Sequence, residues 1–206
     1  MLSSVRQVIV AGVIVAGVGS SPAMAQQIAG GQPNVPADLV VPDGHVLFAT
    51  GYAVGTQNYM GLPATGGGVA WKFLAPQATL FLTVAGVQAQ LATHFLSANP
   101  DEDGLARPTW QHSIDSSKVW GKVYKIVTDP NYVEPGAIPW LLLEMAGKES
   151  GPDGGSFMTQ TAYIQRINTS GGVAPATGCS QAGNIGALAL VPYTTDYYFY
   201  KARRPR

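Results

Sequence analysis

Residues 191–200, VPYTTDYYFY, decide the fold class of this chain of 206 residues. Most of them are β-branched or aromatic, and such side chains favour the pleated, half-buried surface of a β-sheet. A loop rich in glycine and alanine precedes this segment at 170–186, and a further predicted strand, TAYIQRI, lies at 161–167. Before that strand comes KESGPDGGS at 148–156, a turn by composition. The C-terminal third therefore predicts strands joined by turns.

The same pattern extends towards the N-terminus. Residues 138–146, IPWLLLEMA, form an apolar run in which Pro139 and the neighbouring strands favour a strand over a short helix. Residues 118–127 predict a long strand with a bulge at Gly121. Altogether the sequence predicts about nine short strands, at 45–52, 55–60, 69–74, 78–84, 87–96, 118–127, 138–146, 161–167 and 191–200. Regular short strands of this kind predict a single all-β domain, either an antiparallel β-sandwich or a closed β-barrel with long loops.

The first 25 residues are typical of a signal peptide. Arg6 gives a positive start, residues 8–18 (VIVAGVIVAGV) form an apolar stretch, and Ala23-Met24-Ala25 is a small-residue cleavage site. The apolar stretch is too short for a membrane-spanning helix, which needs about 20 residues. We therefore expect a secreted or periplasmic protein with no membrane span, cleaved near Ala25.

The rest of the chain divides into three predicted parts. Residues 26–44 are rich in proline and predict an extended lead-in, residues 45–200 form the β domain, and residues 201–206 form a basic tail. Residues 26–200 carry seven basic and twelve acidic side chains. This mildly acidic body argues against nucleic acid as a partner, and the sequence leaves the oligomeric state open.

No cofactor or metal site is predicted. The chain after the signal peptide lacks the glycine-rich loops of nucleotide sites, HExxH and CxxC. A site made of His94, His112 and a nearby carboxylate is not enforced by any spacing. For a hydrolase, the best catalytic candidates are His94, Asp115 and Ser116, although such a triad is defined by geometry and not by sequence position.

Several segments, taken together, resemble a known family. They are 55–59 (GTQNY), His94, 108–110 (PTW), 138–143 (IPWLLL), 164–172 (IQRINTSGG) and 191–200. Over about residues 40–200 they resemble a family of secreted bacterial and fungal proteins classed as a domain of unknown function. Some fungal members carry the label malate dehydrogenase, which this chain does not support, because it lacks a dinucleotide fingerprint and long helices between its strands.

The resemblance also draws attention to Cys179, the single cysteine of the chain. Relatives often carry a cysteine at the position of Gly61, which implies that Gly61 lies beside Cys179 and that half of a family disulfide has been lost here. A lone cysteine in an exported chain is otherwise a buried thiol, a reactive thiol or a partner for another molecule.

Three functional hypotheses remain open at this point. The first is a binding or envelope-associated protein with a sugar or cell-envelope polymer as ligand, because the chain is rich in aromatic rings. Its candidate ligand-binding residues are Gln57, Tyr59, His94, Trp110 and Arg166. The second is a secreted hydrolase with a His-centred site. The third is a structural or stress-related envelope protein without a small ligand.

Arg166 lies in an otherwise apolar predicted strand. A buried position for this side chain would require a carboxylate such as Glu144 or Asp196, or several carbonyl groups.

Overall fold

The computed structural model of this chain describes residues 33–204. The predicted signal peptide lies outside the described residues, as do the first part of the lead-in and the end of the basic tail. In the described part, eight antiparallel strands form one closed barrel in sequence order, with β1 paired to both β2 and β8. The prediction of an all-β domain is confirmed, and the barrel is the correct one of the two architectures.

The strands differ greatly in length. Their bounds are β1 His45–Pro63, β2 Val69–Val84, β3 Val87–Asn99, β4 Leu105–His112, β5 Lys118–Val127, β6 Trp140–Glu149, β7 Thr161–Gly171 and β8 Leu188–Ala202. Four single turns of 3-10 helix lie between or before them, at Ala37–Leu39, Pro100–Glu102, Met158–Gln160 and Ala182–Asn184. Within residues 33–204, no helix is long and apolar enough to cross a membrane.

Fewer and longer strands are present than the sequence predicted. The predicted strands at 45–52 and 55–60 are both part of β1, and those at 69–74 and 78–84 are both part of β2. The predicted break between 45–52 and 55–60 ends at Gly55, where a Cβ would collide with the Gln77 carbonyl oxygen and with Ala78 of β2. Glycine thus permits a close approach of β1 and β2 here and does not end a strand. The bulge predicted at Gly121 is confirmed by a register shift between Trp120 and Gly121.

Two apolar clusters hold the barrel together. The larger fills the interior and includes Leu80, Leu91, Leu143 and Phe199. The second joins residues of the lead-in, Leu39 and Val41, to residues of β5–β8 such as Trp140 and Leu142. Because side chains alternate between the two faces of a strand, neighbours such as Leu142 and Leu143 belong to different clusters, one inside the barrel and one outside.

The described part of the lead-in is fixed to the outside of the barrel. The buried Gln165 side chain donates through Nε2 to the Leu39 carbonyl oxygen at 2.6 Å and accepts from the Tyr200 hydroxyl at 2.6 Å. At the other terminus, Lys201 and Ala202 of the predicted tail are the last residues of β8 and pair with Val46 and His45.

Candidate functional site

A cavity of about 310 Å³ lies inside the barrel. It occupies the half in which β1, β3, β5 and β7 finish, and all eight strands contribute side chains to it. The lining consists of Gln57, Tyr59, Phe73, Pro76, His94, Pro108, Trp110, Val123, Ile126, Ile138, Pro139, Leu141, Leu143, Arg166 and Tyr197. Most of these side chains are apolar, as in small-molecule sites generally.

All five candidate ligand-binding residues line this one cavity. Gln57 and Tyr59 come from β1, His94 from β3, Trp110 from β4 and Arg166 from β7. Barrel closure explains the convergence: residues of one strand that lie two apart share the interior face, and paired positions place side chains of neighbouring strands together. His94 pairs with Trp110 in register, and Arg166 pairs with Tyr197 of β8.

His94 is a neutral, buried imidazole at this site. It is only 3% exposed, and its Nδ1 lies 2.9 Å from the Thr109 carbonyl oxygen. A carbonyl oxygen can only accept, so Nδ1 carries the proton and Nε2 has a free lone pair. Burial, helped by the nearby Arg166 charge and opposed by the Thr109 hydrogen bond, lowers the pKa of His94 to about 3. The ring is therefore uncharged at neutral pH.

Several hydrogen-bond donors at the cavity lack a partner. Among the described residues, the buried atoms without one include Gln57 Nε2, Trp110 Nε1, Arg166 Nε and the Tyr197 hydroxyl, all of residues that line the cavity. Three further such atoms, of Trp140, Thr161 and Tyr193, belong to residues outside the lining. Gln57, Tyr193, Tyr197 and Arg166 are close enough to one another to interact, but the four named atoms at the cavity form no hydrogen bond of ordinary geometry. Native structures rarely leave buried polar groups in that state, and a bound molecule would complete the hydrogen bonding.

Arg166 does not form either of the ion pairs that the sequence suggested. Its Nη2 donates to the Pro139 carbonyl oxygen at 2.8 Å. Glu144 is bound instead by Lys122 at 3.2 Å, and Asp196 accepts from Asn168 at 2.8 Å. Arg166 makes no salt bridge with any residue between 33 and 204. Its positive charge therefore faces an apolar cavity without a carboxylate beside it.

Three tyrosines complete the polar side of the interior. Burial raises the pKa of Tyr197, whose hydroxyl is close enough to Arg166 for the guanidinium charge to oppose that effect. Burial also raises the pKa of Tyr193 well above its ordinary range, and the neighbouring Tyr197 adds to the rise. Tyr59 donates from its hydroxyl to the Gly172 carbonyl oxygen at 2.7 Å, which ties β1 to the segment that follows β7. All three phenols are thus protonated at neutral pH.

The cavity opens through the barrel wall between β4 and β5. These strands pair only where Thr109, Trp110 and Gln111 face Trp120, Val119 and Lys118. Beyond Trp120, β5 is hydrogen-bonded to β6 alone. Val123 and Ile126 point to the interior opposite Leu143 and Leu141, yet they are 49% and 58% exposed. Inward-facing side chains with that exposure mark an apolar mouth.

The β3–β4 hairpin explains why the wall separates there. Its tip lies against the far strand β6, where Asn99 Nδ2 donates to the Ala146 carbonyl oxygen and the Lys148 N–H donates to Asp101, each at 3.3 Å. Trp120 Nε1 also donates to Ser97 Oγ at 2.9 Å. The hairpin thus crosses over β5 and leaves the rest of that strand unpaired on one side.

The three catalytic candidates are not brought together. His94 contacts Thr109, Trp110 and Tyr197 in the barrel. Asp115 and Ser116 lie in the turn between β4 and β5, at the opposite end of the barrel from the cavity. Ser116 has a backbone φ of 59° in that turn, and its N–H donates to the His112 carbonyl oxygen.

Asp115 is instead the centre of a hydrogen-bond network that closes this opposite end. Its carboxylate accepts from the Phe157 N–H at 2.9 Å, from the Ser117 hydroxyl at 2.7 Å and from the Ser117 N–H at 3.0 Å. His112 Nδ1 lies 2.9 Å away. Partial burial would raise the pKa of Asp115, but these four partners together hold it well below its ordinary value. The carboxylate joins the β4–β5 turn to the segment after β6.

Two other sequence-based interpretations can be compared with the structure. Trp110, Trp120 and Trp140 are buried, and Trp71 donates from Nε1 to the Thr177 carbonyl oxygen, so these rings do not form an exposed platform. Among residues 33–204 no group of three or more His, Cys, Asp or Glu side chains is arranged to hold a metal ion.

A wider polar groove of about 510 Å³ lies between β6 and β7, which pair only from Leu141 to Glu144. Asn99 and Asp101 already bind part of the free edge of β6 there. This groove contains none of the candidate residues.

The sequence singled out few of the apolar residues of the cavity. Leu141 and Leu143 belong to the segment 138–143 that the family resemblance used, whereas Phe73, Val123 and Ile126 lie at ordinary inward positions of strands, and no motif distinguishes them from core residues. The one available signal was the spacing of inward positions on β5 and β6, which becomes informative only when the pairing of these strands is known.

Gly61 and Cys179 are neighbours, as the family resemblance implied. A Cβ placed on Gly61 would lie 2.9 Å from the Cys179 sulfur and would also press on the Asn184 carbonyl oxygen. The thiol of Cys179 is free and half-buried. Whether the chain has lost a disulfide partner at this point stays a prediction.

The chain was compared with known protein families, curated proteins and solved structures. A family model described as "Protein of unknown function (DUF3455)" matches residues 42–201, which is nearly all of the described barrel. Neither a curated protein nor a solved structure matches the chain.

Proposed function

This chain belongs to the DUF3455 family of proteins of unknown function, and we propose that it is an exported binding protein whose barrel encloses one small, largely apolar ligand. The family resemblance expected from the sequence motifs is confirmed by this membership. The observation that carries the proposal is the convergence of Gln57, His94, Trp110 and Arg166, from four strands, on one cavity.

The energetics of the cavity support a bound molecule. A buried donor or acceptor without a partner costs about 1–3 kcal/mol, and four such atoms surround this space. Packing alone would be better served by apolar residues at these positions. A ligand that brings hydrogen-bond acceptors would recover that free energy, whereas a structural role gives no reason for the unpaired groups.

The size and form of the cavity favour a small ligand over a polymer. At about 30 Å³ for each water-sized group, 310 Å³ holds roughly ten non-hydrogen atoms. A sugar or envelope polymer would require an exposed row of rings, and three of the four tryptophans are buried. The hydrolase alternative has less support, because the contacts of His94 include neither Asp115 nor Ser116.

Export rests on the N-terminal sequence alone. Arg6, the apolar stretch at 8–18 and Ala23-Met24-Ala25 have the order of a signal peptide. A binding protein with these features would act outside the cytoplasm. N-terminal sequencing of the protein from its native host would test this, with Gln26 as the expected first residue.

The binding proposal is tested with 1-aminonaphthalene, a fluorescent compound of about the right size that is uncharged at pH 7. We expect saturable binding with one site per chain. Ile126→Trp should abolish binding, because Ile126 lies at the mouth of the cavity and is already 58% exposed. The matched control is Ile114→Trp, since Ile114 is 86% exposed in the turn at the other end of the barrel.

Two results would overturn the proposal. One is the absence of saturable binding for this compound and for every eight-carbon compound named below. The other is an equal loss of binding in Ile126→Trp and Ile114→Trp, since that would locate the site away from the cavity mouth.

A further inference from the structure

We propose that the ligand is a monocarboxylate of about ten non-hydrogen atoms, whose carboxylate binds at Arg166 and whose apolar part extends towards Val123 and Ile126. This inference rests on the proposed binding function and adds the chemical class of the ligand. It follows from the charge, the hydrogen-bond donors and the shape of the cavity.

The cavity carries one positive charge. Arg166 is the one charged residue in its lining among the described residues, and a guanidinium stays protonated at any physiological pH. A charge facing an apolar space is costly unless an opposite charge comes to it. No carboxylate of residues 33–204 does so. One unmatched positive charge fits an anion with a single negative charge better than a phosphate, which carries more.

The unpaired atoms at the cavity are hydrogen-bond donors. Gln57 Nε2, Trp110 Nε1 and Arg166 Nε are donors, and they lack partners in the described structure. A carboxylate only accepts hydrogen bonds and has about four lone-pair positions for them. An ammonium group brings only donors and would repel Arg166. An alcohol offers a single oxygen and no charge, so it satisfies this site incompletely.

The neutral state of His94 agrees with a carboxylate bound at Arg166. Its Nδ1 proton is directed to Thr109, and the ring stacks on Trp110 with centroids 4.3 Å apart. Because the imidazole is uncharged, the attraction for an anion is concentrated at Arg166. The Nε2 lone pair would repel a carboxylate oxygen, which places the head group on the Arg166 side of the cavity.

The apolar lining accounts for the remainder of the ligand. Leu141 and Leu143 of β6 face Ile126 and Val123 of β5 across the sheet pairing. These four side chains form an apolar path from the middle of the cavity to its mouth, where Val123 and Ile126 are exposed. A chain or ring of eight or so carbon atoms would displace water from this surface, which favours binding.

The experiment compares octanoate, 1-octanol and octylamine by isothermal titration calorimetry at pH 7, with the full-length secreted protein. We expect octanoate to bind about tenfold or more tightly than the other two, because a charged hydrogen bond at a partly buried arginine has that strength. Arg166→Met should remove the preference for octanoate over 1-octanol. Arg107→Met is the matched control, since Arg107 pairs with Glu102 outside the cavity at 2.7 Å.

The outcomes separate the two proposals. Equal affinity for the three compounds in the wild-type protein would overturn the carboxylate assignment and leave the binding function standing. Tighter binding of octylamine would overturn it as well. If octanoate is preferred and the preference survives in Arg166→Met, the assignment of the head group to Arg166 is wrong. If Arg166→Met does not fold, the comparison of compounds on the wild-type protein decides by itself.

Discussion

The imidazole of His94 stacks on the indole of Trp110, with 13° between the ring planes and 4.3 Å between the centroids. The two residues are paired in register on β3 and β4 and lie on the interior face of the barrel. Their stacking places a titratable group in surroundings that exclude water. Its protonation must therefore be linked to the stability of the fold.

The pH dependence of stability should be shallower in His94→Asn than in the wild-type protein. The folded-state pKa of His94 is depressed from 6.5 to about 3. Between these values the unfolded chain takes up a proton that the folded protein excludes. The contribution of His94 to stability is thus complete above about pH 6.5 and is lost as the pH falls. Between pH 6.5 and 5 the loss should amount to about 2 kcal/mol.

Urea unfolding at pH 5, 6 and 7 provides the measurement. Asparagine is chosen because its Nδ2 can still donate to the Thr109 carbonyl oxygen. Parallel curves of unfolding free energy against pH for the two proteins would show that His94 does not titrate as described.

Asp115→Asn should destabilise the protein by about 2–3 kcal/mol at pH 7, because charge-assisted bonds to Phe157 and Ser117 are lost. The pKa of Asp115 is depressed in the folded state from an ordinary value of 3.8. Its contribution is therefore present above about pH 4 and decreases as the pH falls further. Chemical unfolding at pH 7 and pH 3 should show a smaller difference between variant and wild type at pH 3. Asp153→Asn, at an exposed position of the neighbouring turn, should be neutral; an equal effect would contradict the role given to Asp115.

Gly121→Ala should weaken ligand binding by displacing Trp110, which lines the cavity. A Cβ at this position would lie 2.8 Å from the Trp110 ring and 3.2 Å from Leu143, so the indole must move. We expect a loss of about 1–3 kcal/mol in stability and a decrease of roughly tenfold in affinity for 1-aminonaphthalene. Fluorescence titration measures the affinity. Gly183→Ala, where a Cβ meets nothing within 4 Å, is the control, and unchanged affinity in Gly121→Ala would mean that Trp110 does not bound the ligand site.

Gly61→Cys should form a disulfide with Cys179 under oxidising conditions. The 2.9 Å between the Gly61 Cβ position and the Cys179 sulfur matches the separation of about 3 Å that standard disulfide geometry requires. A loop of roughly 100 residues predicts about 4 to 5 kcal/mol of stabilisation, reduced by the shift that Asn184 must make. Thiol titration and the difference in Tm with and without reductant measure the effect. Gly61→Ala has the same Cβ without a thiol, and two titratable thiols remaining in oxidised Gly61→Cys would refute the bond.

The sequence predicted the class of fold but not the extent of its strands. Glycine between two strand-like segments favours a break when it is considered locally. At Gly55 the absence of a side chain instead allows β2 to approach closely, since Gln77 and Ala78 occupy the space beside it. Pro76 separates the predicted strands at 69–74 and 78–84 in the sequence, yet it lies within β2 opposite Gln57, close to a register shift where the ladder is already irregular. Both effects depend on partners distant in the chain.

The polar part of the site could be predicted and its apolar part could not. Polar and amphipathic residue types are seldom fully buried without a partner, so they attract notice in strands near a core. Such residues here are Gln57, His94, Trp110 and Arg166. Val123 and Ile126 have no such distinction. Their exposure follows from the separation of β4 and β5, which depends on bonds from Asn99 and Asp101 to β6. The sequence of β5 alone therefore does not predict the exposure of Val123 and Ile126.

The pairing of β1 with β8 has a consequence for the order of events when the chain folds. His45 of the first strand faces Ala202 of the last, so the seam that closes the barrel joins the two ends of the described chain. Contacts between such remote segments form slowly and late. Until β8 arrives, β1 and β7 are open edges that invite pairing with other chains. If the protein crosses a membrane unfolded, N-terminus first, closure must wait for the final segment to emerge, and the cavity with its ligand site comes into existence only at that last step.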